Sequence, residues 1–434
     1  MSLDPQAQQL NQTIAATHPQ ILDMLSSRGK AIFFPKLGIL SQSAEAQGKA
    51  INATVGIALE DDGSPLCLPS LAEAIHLSKV DAFTYAPSSG RPDLRKLWKE
   101  LQVQKNPGLQ GITFSLPVVS AALTHGLSTA AYLFCEAGDR LITPDLYWEN
   151  YDLIFSLAFG TALETFPTFT SEGRFNVAGL RDKLHQGPKG GKRIVSLNFP
   201  NNPSGYSPGK DEADAIVNVL REAAEAGNQV VVVIDDAYFG LVFEDHVFPE
   251  SIFVPLCKAH PNLLAVKIDG ATKEDYVWGF RVGFITYGIQ GGTSSLYAAL
   301  EAKTSGAIRG NVSSSSQPAQ SLLVAALTTP GYAQQKQRAF DLLRRRYETV
   351  KDILEKHAEY REAFVPLPFN SGYFMCIRPI GVEAEVLRKK LLTDYSTGTI
   401  NFNGVLRLAF SATPTVQLPQ LFENVFQACK ALKT

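Results

Sequence analysis

Cysteine is scarce and scattered in this chain. Its five cysteines (Cys67, Cys135, Cys257, Cys376 and Cys429) form no CxxC pair, which argues against a disulfide-stapled scaffold and against a zinc ribbon. An odd, scattered set of this kind suits a reducing compartment, so a cytoplasmic location is expected. No Cys/His cluster has metal-ligand spacing, and no metal is expected. A dominant charge is lacking too: 40 Lys+Arg against 42 Asp+Glu leave a net charge of −2. That gives no electrostatic footprint for nucleic acid or an anionic membrane. No hydrophobic run approaches the roughly 20 residues of a membrane-spanning helix. The opening MSLDPQAQQLNQT lacks the apolar core of a signal peptide. Internal repeats are absent, and Ser313 to Ser316 is the one biased tract.

What is present is a chain of 434 residues, 45% of them hydrophobic, which exceeds one simple core and suggests two domains. Short apolar runs alternate with helical stretches through its middle. Strands are predicted at Arg140–Thr143, Arg193–Asn198, Val230–Ile234, Leu263–Ile268 and Val282–Tyr287, and helices at Gly126–Cys135 and Asp211–Ala226. Val230–Ile234 is β-branched and apolar on both faces, as a buried parallel strand should be. The alternation predicts an α/β sheet covered on both sides. Past residue 335 the pattern changes to a long charged helix, Gln335 to Lys356, followed by strand-like Gly372–Ile377 and Val405–Phe410. This predicts a large domain over 66–335 and a small α+β domain built from 1–65 and 336–434.

Five segments carry candidate chemistry. Asn198-Phe-Pro-Asn-Asn-Pro-Ser-Gly205 makes a rigid turn after a strand. Asp235, Asp236 and Tyr238 also follow a strand, where ligands of open α/β sheets gather, although an Asp there also serves as an ordinary cap. Lys273 lies in a Gly-rich stretch between two strands, with Arg281 eight residues on. Thr124-His-Gly-Leu-Ser128 runs into a helix whose free N–H groups suit a phosphate. Arg407 is a lone charge in an apolar strand, suited either to a structural ion pair or to bidentate binding of a carboxylate.

Together these segments resemble the fold-type I pyridoxal-phosphate enzymes, and among them the class I aminotransferases of the aspartate/aromatic branch. The resemblance runs from about residue 50 to about residue 412. It includes the opening Ile51-Asn-Ala-Thr-Val-Gly-Ile-Ala-Leu-Glu-Asp-Asp-Gly and the stretch Tyr85-Ala-Pro-Ser-Ser-Gly-Arg-Pro-Asp-Leu-Arg95. It implies a mostly parallel seven-stranded sheet between helices, a smaller α+β domain, and a homodimer with shared active sites. Lys273 is implied to hold pyridoxal phosphate as a Schiff base and to shuttle a proton, with Asp235 on the ring nitrogen. Asn202 and Tyr238 are implied to serve the phenolic oxygen and Trp148 the ring face. Gly126, Leu127, Ser128 and Arg281 are implied to hold the phosphate, with Tyr85 reaching the neighbouring subunit's cofactor. Gly56, Asn202 and Arg407 are implied to meet the substrate, and Arg309 the distal carboxylate of a dicarboxylic one. The sequence departs from the family in having Gly270 where a serine is usual, leaving Thr272 or backbone N–H groups as substitutes. It also reads His-Gly-Leu-Ser in the phosphate loop. The implied reaction is amino transfer between an L-amino acid and a 2-oxo acid; β-elimination or decarboxylation on the same cofactor is the alternative, and a non-enzymatic ligand sensor a more distant one.

Overall fold

The computed structural model describes residues 3–35 and 38–433. A short first strand, β1 (Ile51–Asn52), precedes seven that build the main sheet: β2 (Val118–Ala121), β3 (Arg140–Pro144), β4 (Ala162–Phe166), β5 (Lys192–Asn198), β6 (Gln229–Asp235), β7 (Leu263–Asp269) and β8 (Val282–Gly288). Their order is β2-β8-β7-β6-β5-β3-β4. Strands β4, β3, β5, β6 and β7 run parallel, while β8 is antiparallel to both of its neighbours. Residues along β6 alternate between two cores. Val231 and Val233 join one, and Val230, Val232 and Ile234 join the other. Helices cover both faces, so the strand must be apolar on each side.

The four-stranded sheet of the C-terminal part is antiparallel. It consists of β9 (Phe364–Pro366), β10 (Phe374–Pro379), β12 (Ile400–Phe402) and β13 (Val405–Ala409), in the order β12-β13-β10-β9. β11 (Thr397–Gly398) pairs in parallel with β1, which brings the N-terminal stretch onto this part. The seven-stranded sheet thus falls within 66–335 and the four-stranded one within 336–434. The long helix Tyr332–Lys356 leads from one to the other, starting three residues earlier than its charge pattern predicts. Its Arg346 is fully buried and donates to the carbonyl oxygens of Leu59 and Ser411. Among the described residues no helix is long and apolar enough to cross a membrane, and no group of three His, Cys, Asp or Glu could hold a metal ion.

Two strands of the large sheet have no clear sequence signal. β2 has four residues, and β4 is a half-exposed edge strand. The helix expected from Gly126 begins instead at Ala122 and runs to Phe134.

Candidate active site

Register brings the site together. Asn198 at the end of β5 pairs with Asp235 at the end of β6, and Asp235 pairs with Ile268 near the end of β7. At these carboxyl ends lies a cavity of about 220 Å³. Lys273, Asp235, Tyr238, Asn202, Trp148, Arg281, Gly56 and Arg407 all line it.

After β7 the chain turns into the short helix Ala271–Glu274, which presents Lys273 to the cavity. The Tyr373 hydroxyl donates to the Lys273 carbonyl oxygen at 2.8 Å, and Lys273 Nζ lies 5.3 Å from the Tyr238 ring centroid. Burial pushes the Lys273 pKa down to about 8, against the pull of Asp235 and with the push of Arg281. A lysine shifted in this way is an available nucleophile near neutral pH. Capture of an aldehyde by Lys273 is therefore expected to accelerate as pH rises through about 8 and then level off. An ordinary lysine would keep accelerating towards roughly 10.4. A stopped-flow pH series on cofactor-free protein reads this directly, and a rate still climbing at about pH 10 would show an unshifted amine.

The two consecutive carboxylates divide their roles because successive side chains leave a strand on opposite faces. Asp236 accepts from Ser251 Oγ at 2.5 Å and pairs with the buried Lys267, which also meets Asp269 at 3.2 Å. Asp235 faces the cavity and accepts from the Tyr151 hydroxyl at 2.7 Å. Among the described residues it forms no ion pair. Burial raises its pKa, while Tyr151 and Lys273 oppose the shift. A buried carboxylate without a cation is costly, and the side open to the cavity is where a cation relieves it.

At the other wall, Arg407 of β13 extends over the Phe374 ring, 4.1 Å from its centroid. Its Nη1 donates to Asn202 Oδ1 and its Nη2 to the Thr54 carbonyl oxygen, both at 3.1 Å. Its Nε is buried with no hydrogen-bond partner among the described residues. Because a guanidinium only donates, the Asn202 atom facing it must be the oxygen, which turns the amide nitrogen the other way. Asn202 is further held by its backbone N–H, which donates to Asn198 Oδ1 at 2.7 Å.

The helix terminus at the cavity differs from expectation. Gly126, Leu127 and Ser128 do not line the cavity; Ala122, Leu123 and Thr124 do. The first-turn N–H groups, which have no intrahelical partner, lie where the helix starts. Gly126 lies one turn further on, against β7, where an added Cβ would come within 2.9 Å of Ile268 Cγ2. Its role there is close packing. Ala122 has φ +69°, a left-handed conformation that alanine seldom adopts. The missing serine at position 270 also has a steric reason: a Cβ on Gly270 would lie 2.7 Å from the Val282 carbonyl oxygen. Thr272 lines the cavity, and its Oγ1 is buried with no hydrogen-bond partner among the described residues.

Tyr85 and Arg309 do not line the cavity of their own chain. Tyr85 is 92% exposed, and Arg309 is exposed and bonds Ser313 Oγ at 2.5 Å. Several lining residues escaped the sequence reading, among them Ile39, Leu40 and Thr54, as did Tyr151 behind Asp235. For Tyr151 a signal existed: it follows Trp148 by three residues, the spacing of one helical face, and its N–H donates to the Trp148 carbonyl oxygen at 2.9 Å. Ile39 is brought in by its N–H, which donates to Glu149 Oε1 at 2.7 Å.

Known proteins share this architecture. A probable aspartate/prephenate aminotransferase of Rickettsia conorii is 26% identical over 258 residues, covering 58% of this chain and 59% of the relative. An aromatic amino acid aminotransferase of Cutibacterium acnes is 26% identical over 217 residues, covering 50% and 54%. The chain thus matches between half and three-fifths of the length of these curated relatives. Among solved structures, an aminotransferase of Anaerococcus prevotii superposes with a TM-score of 0.81 at 22% identity, covering 93% of this chain and 98% of that one. The cytoplasmic aspartate aminotransferase of Saccharomyces cerevisiae gives 0.74 at 17% identity, covering 95% and 99%. These two likenesses speak for the fold. The family described as aminotransferase class I and II matches residues 49–425, and the chain therefore belongs to the class I and II aminotransferases.

Proposed function

We propose that the protein is a pyridoxal-phosphate-dependent aminotransferase that moves an amino group from an L-amino acid to a 2-oxo acid in two ping-pong halves. The observation that carries the reading is the meeting, on one cavity, of a lysine with a lowered pKa, a buried carboxylate and a guanidinium; among the described residues the carboxylate forms no ion pair and the guanidinium Nε has no hydrogen-bond partner. The donor set fits the cofactor. Arg281, Thr272 Oγ1 and the N–H groups at Ala122–Thr124 suit its phosphate, taking the place expected for Gly126, Leu127 and Ser128. Asp235 suits its ring nitrogen.

When bound, pyridoxal phosphate supplies an electron-withdrawing ring that stabilises negative charge at the substrate's Cα. Lys273 would hold the cofactor, and its amine would take and return the proton at the substrate's Cα as a general base and acid. Asp235 keeps the ring nitrogen protonated, and the Tyr151 hydroxyl orients that carboxylate. Asn202 and Tyr238 donate to the phenolic oxygen, and Trp148 covers the ring. Arg407 takes the α-carboxylate through two parallel hydrogen bonds, and Gly56 leaves room beside it, since an added Cβ there meets nothing within 4 Å. The test is a panel of L-amino acids against 2-oxoglutarate, oxaloacetate and pyruvate, followed by absorbance. Regeneration of the starting spectrum by a 2-oxo acid marks amino transfer; a loss of substrate that no oxo acid completes marks elimination or decarboxylation.

The reading extends to a homodimer, because Tyr85 projects from a surface where Ile75, Val80 and Phe83 are also exposed. It further takes the two-domain division at residues 66–335, and a cytoplasmic location to which the free cysteines are suited. Dicarboxylate choice rests on Arg309 reaching the second copy's cavity. Arg309→Ala is then expected to lower kcat/KM on aspartate and glutamate by about ten- to a hundredfold, from a charge-assisted bond of roughly 1.5–3 kcal/mol, and to spare alanine and phenylalanine. Equal losses on both classes would remove the dicarboxylate reading and leave amino transfer standing.

A further inference from the structure

Glu274, the residue after Lys273, carries a charge that the mechanism above does not use. Both lie on the short helix Ala271–Glu274, but only Lys273 lines the cavity. The Glu274 side chain is 6% exposed and is held by two lysines, each at 2.7 Å: Lys105 Nζ on Oε2 and Lys336 Nζ on Oε1. Lys105 ends the helix Pro92–Lys105, and Lys336 lies in the second turn of the helix Tyr332–Lys356. Lys336 also meets Asp275 Oδ1 at 3.1 Å, and the Tyr332 hydroxyl donates to that same oxygen. Lys105 Nζ lies 4.8 Å over the Trp98 ring. The backbone makes room for this arrangement: an added Cβ on Gly240, where φ is +90°, would lie 2.8 Å from Glu274 Oε1.

Burial pushes the Glu274 carboxyl up, but Lys105 and Lys336 outweigh it and hold the group well below the usual range. The cluster sets two ammonium groups against the two carboxylates of Glu274 and Asp275, so it is neutral as a whole. Such a set is stable only while it is complete, since removing one partner leaves an uncompensated buried charge. It also joins three elements at the root of the lysine. The amine of Lys273 would both hold the cofactor and move the proton at the substrate's Cα, and catalytic geometry tolerates only about 0.5 Å of misplacement.

We propose that Glu274 is a positioning residue: its two lysine ties hold the turn bearing Lys273 between the helices Pro92–Lys105 and Tyr332–Lys356, and its carboxylate balances their ammonium groups one residue away from Lys273. The inference rests on Lys273 being the cofactor lysine.

The test compares holoenzymes of the wild type, Glu274→Gln and Glu274→Asp by two measurements. One is the pH midpoint of the bound cofactor's absorbance. The other is the first half-reaction with ordinary and α-deuterated amino acid. Asp235 and Arg281, the charges that act on Lys273 within the cavity, stay in place throughout. Glu274→Gln is expected to lower the midpoint by roughly half a pH unit or more, because two ammonium groups lose a counter-charge. It is also expected to slow the half-reaction about tenfold and to enlarge the isotope effect, since proton transfer by a misplaced amine becomes the slow step. Glu274→Asp should restore the midpoint and part of the rate. A Glu274→Gln enzyme with the wild-type midpoint and isotope effect overturns the inference, whatever its melting temperature. If that variant does not fold, Lys336→Met carries the test with the opposite sign: losing a positive charge should raise the midpoint, and an unmoved midpoint overturns the inference. Borohydride labelling on another lysine would instead sink the cofactor assignment itself; label on Lys273 with both readouts unmoved sinks this inference alone.

Discussion

Lys273→Ala is expected to lower turnover by roughly ten-thousandfold while the protein still takes up pyridoxal phosphate. The two halves of this result have separate causes. Turnover fails because alanine offers neither the amine that captures the cofactor nor the group that moves the proton. Among the described residues no second lysine lines the cavity to take over. Binding should survive because the groups proposed for the phosphate are other parts, namely Arg281, Thr272 and the N-terminus of the helix Ala122–Phe134. Single-turnover kinetics on the reconstituted variant, with cofactor content measured after desalting, would check both halves. Turnover within about tenfold of wild type would be incompatible with Lys273 as the base, because general acid–base transfer alone is worth roughly a hundred- to ten-thousandfold.

Asp235→Asn is the second large effect, expected at about a hundred- to a thousandfold in the half-reaction. The carboxylate is buried and, among the described residues, forms no ion pair, with Lys273 the one cation whose charge acts on it. A ring nitrogen that carries a proton completes the pair, and breaking a buried charge pair costs about 3–5 kcal/mol. Asparagine keeps the shape and can still accept from Tyr151, so the fold and the phosphate contacts should hold. The loss should therefore fall on the rate of proton removal and far less on cofactor affinity. Asp236 cannot substitute, since Lys267 and Ser251 occupy it on the other side of the strand. Rapid-mixing absorbance on the loaded variant reads the rate. A half-reaction within a few-fold of wild type would mean that neither aspartate holds the ring proton.

The parts of the fold that the sequence shows best are those buried on both faces. β5, β6, β7 and β8 lie within about one residue of their predicted bounds, because an apolar run with no polar face has few alternatives to a central strand. β2 and β4 escaped because an edge strand need not be apolar throughout and a four-residue strand has too little length to show a period. The same reasoning covers the site. Arg407 was visible as a charge where apolar residues are the rule, while Asn202, Asp235 and Lys273 were visible by their places in a rigid turn, at a strand end and in a Gly-rich stretch between strands. The helix start was placed one turn late because a glycine before a helix reads as a start signal. Gly126 is instead small to let the helix approach β7, which is a fact about two elements that no local pattern records.

By itself, the sequence determined which residue types are available for the chemistry and on which strand ends they sit. Their order along the chain and the period of the strands are properties of covalent connectivity and local sterics. Tertiary structure alone decided which of them meet. Arg407 reaches Asn202 across 205 positions of chain, Tyr151 reaches Asp235 across 84, and Glu274 gathers Lys105 and Lys336 from two helices distant in sequence. Contacts of this kind depend on how elements pack, and the burial that packing imposes is what lowers the pKa of Lys273 and raises that of Asp235. Side-chain identity sets what a group can do; the desolvation and partners that set how it does so exist only once the chain is folded.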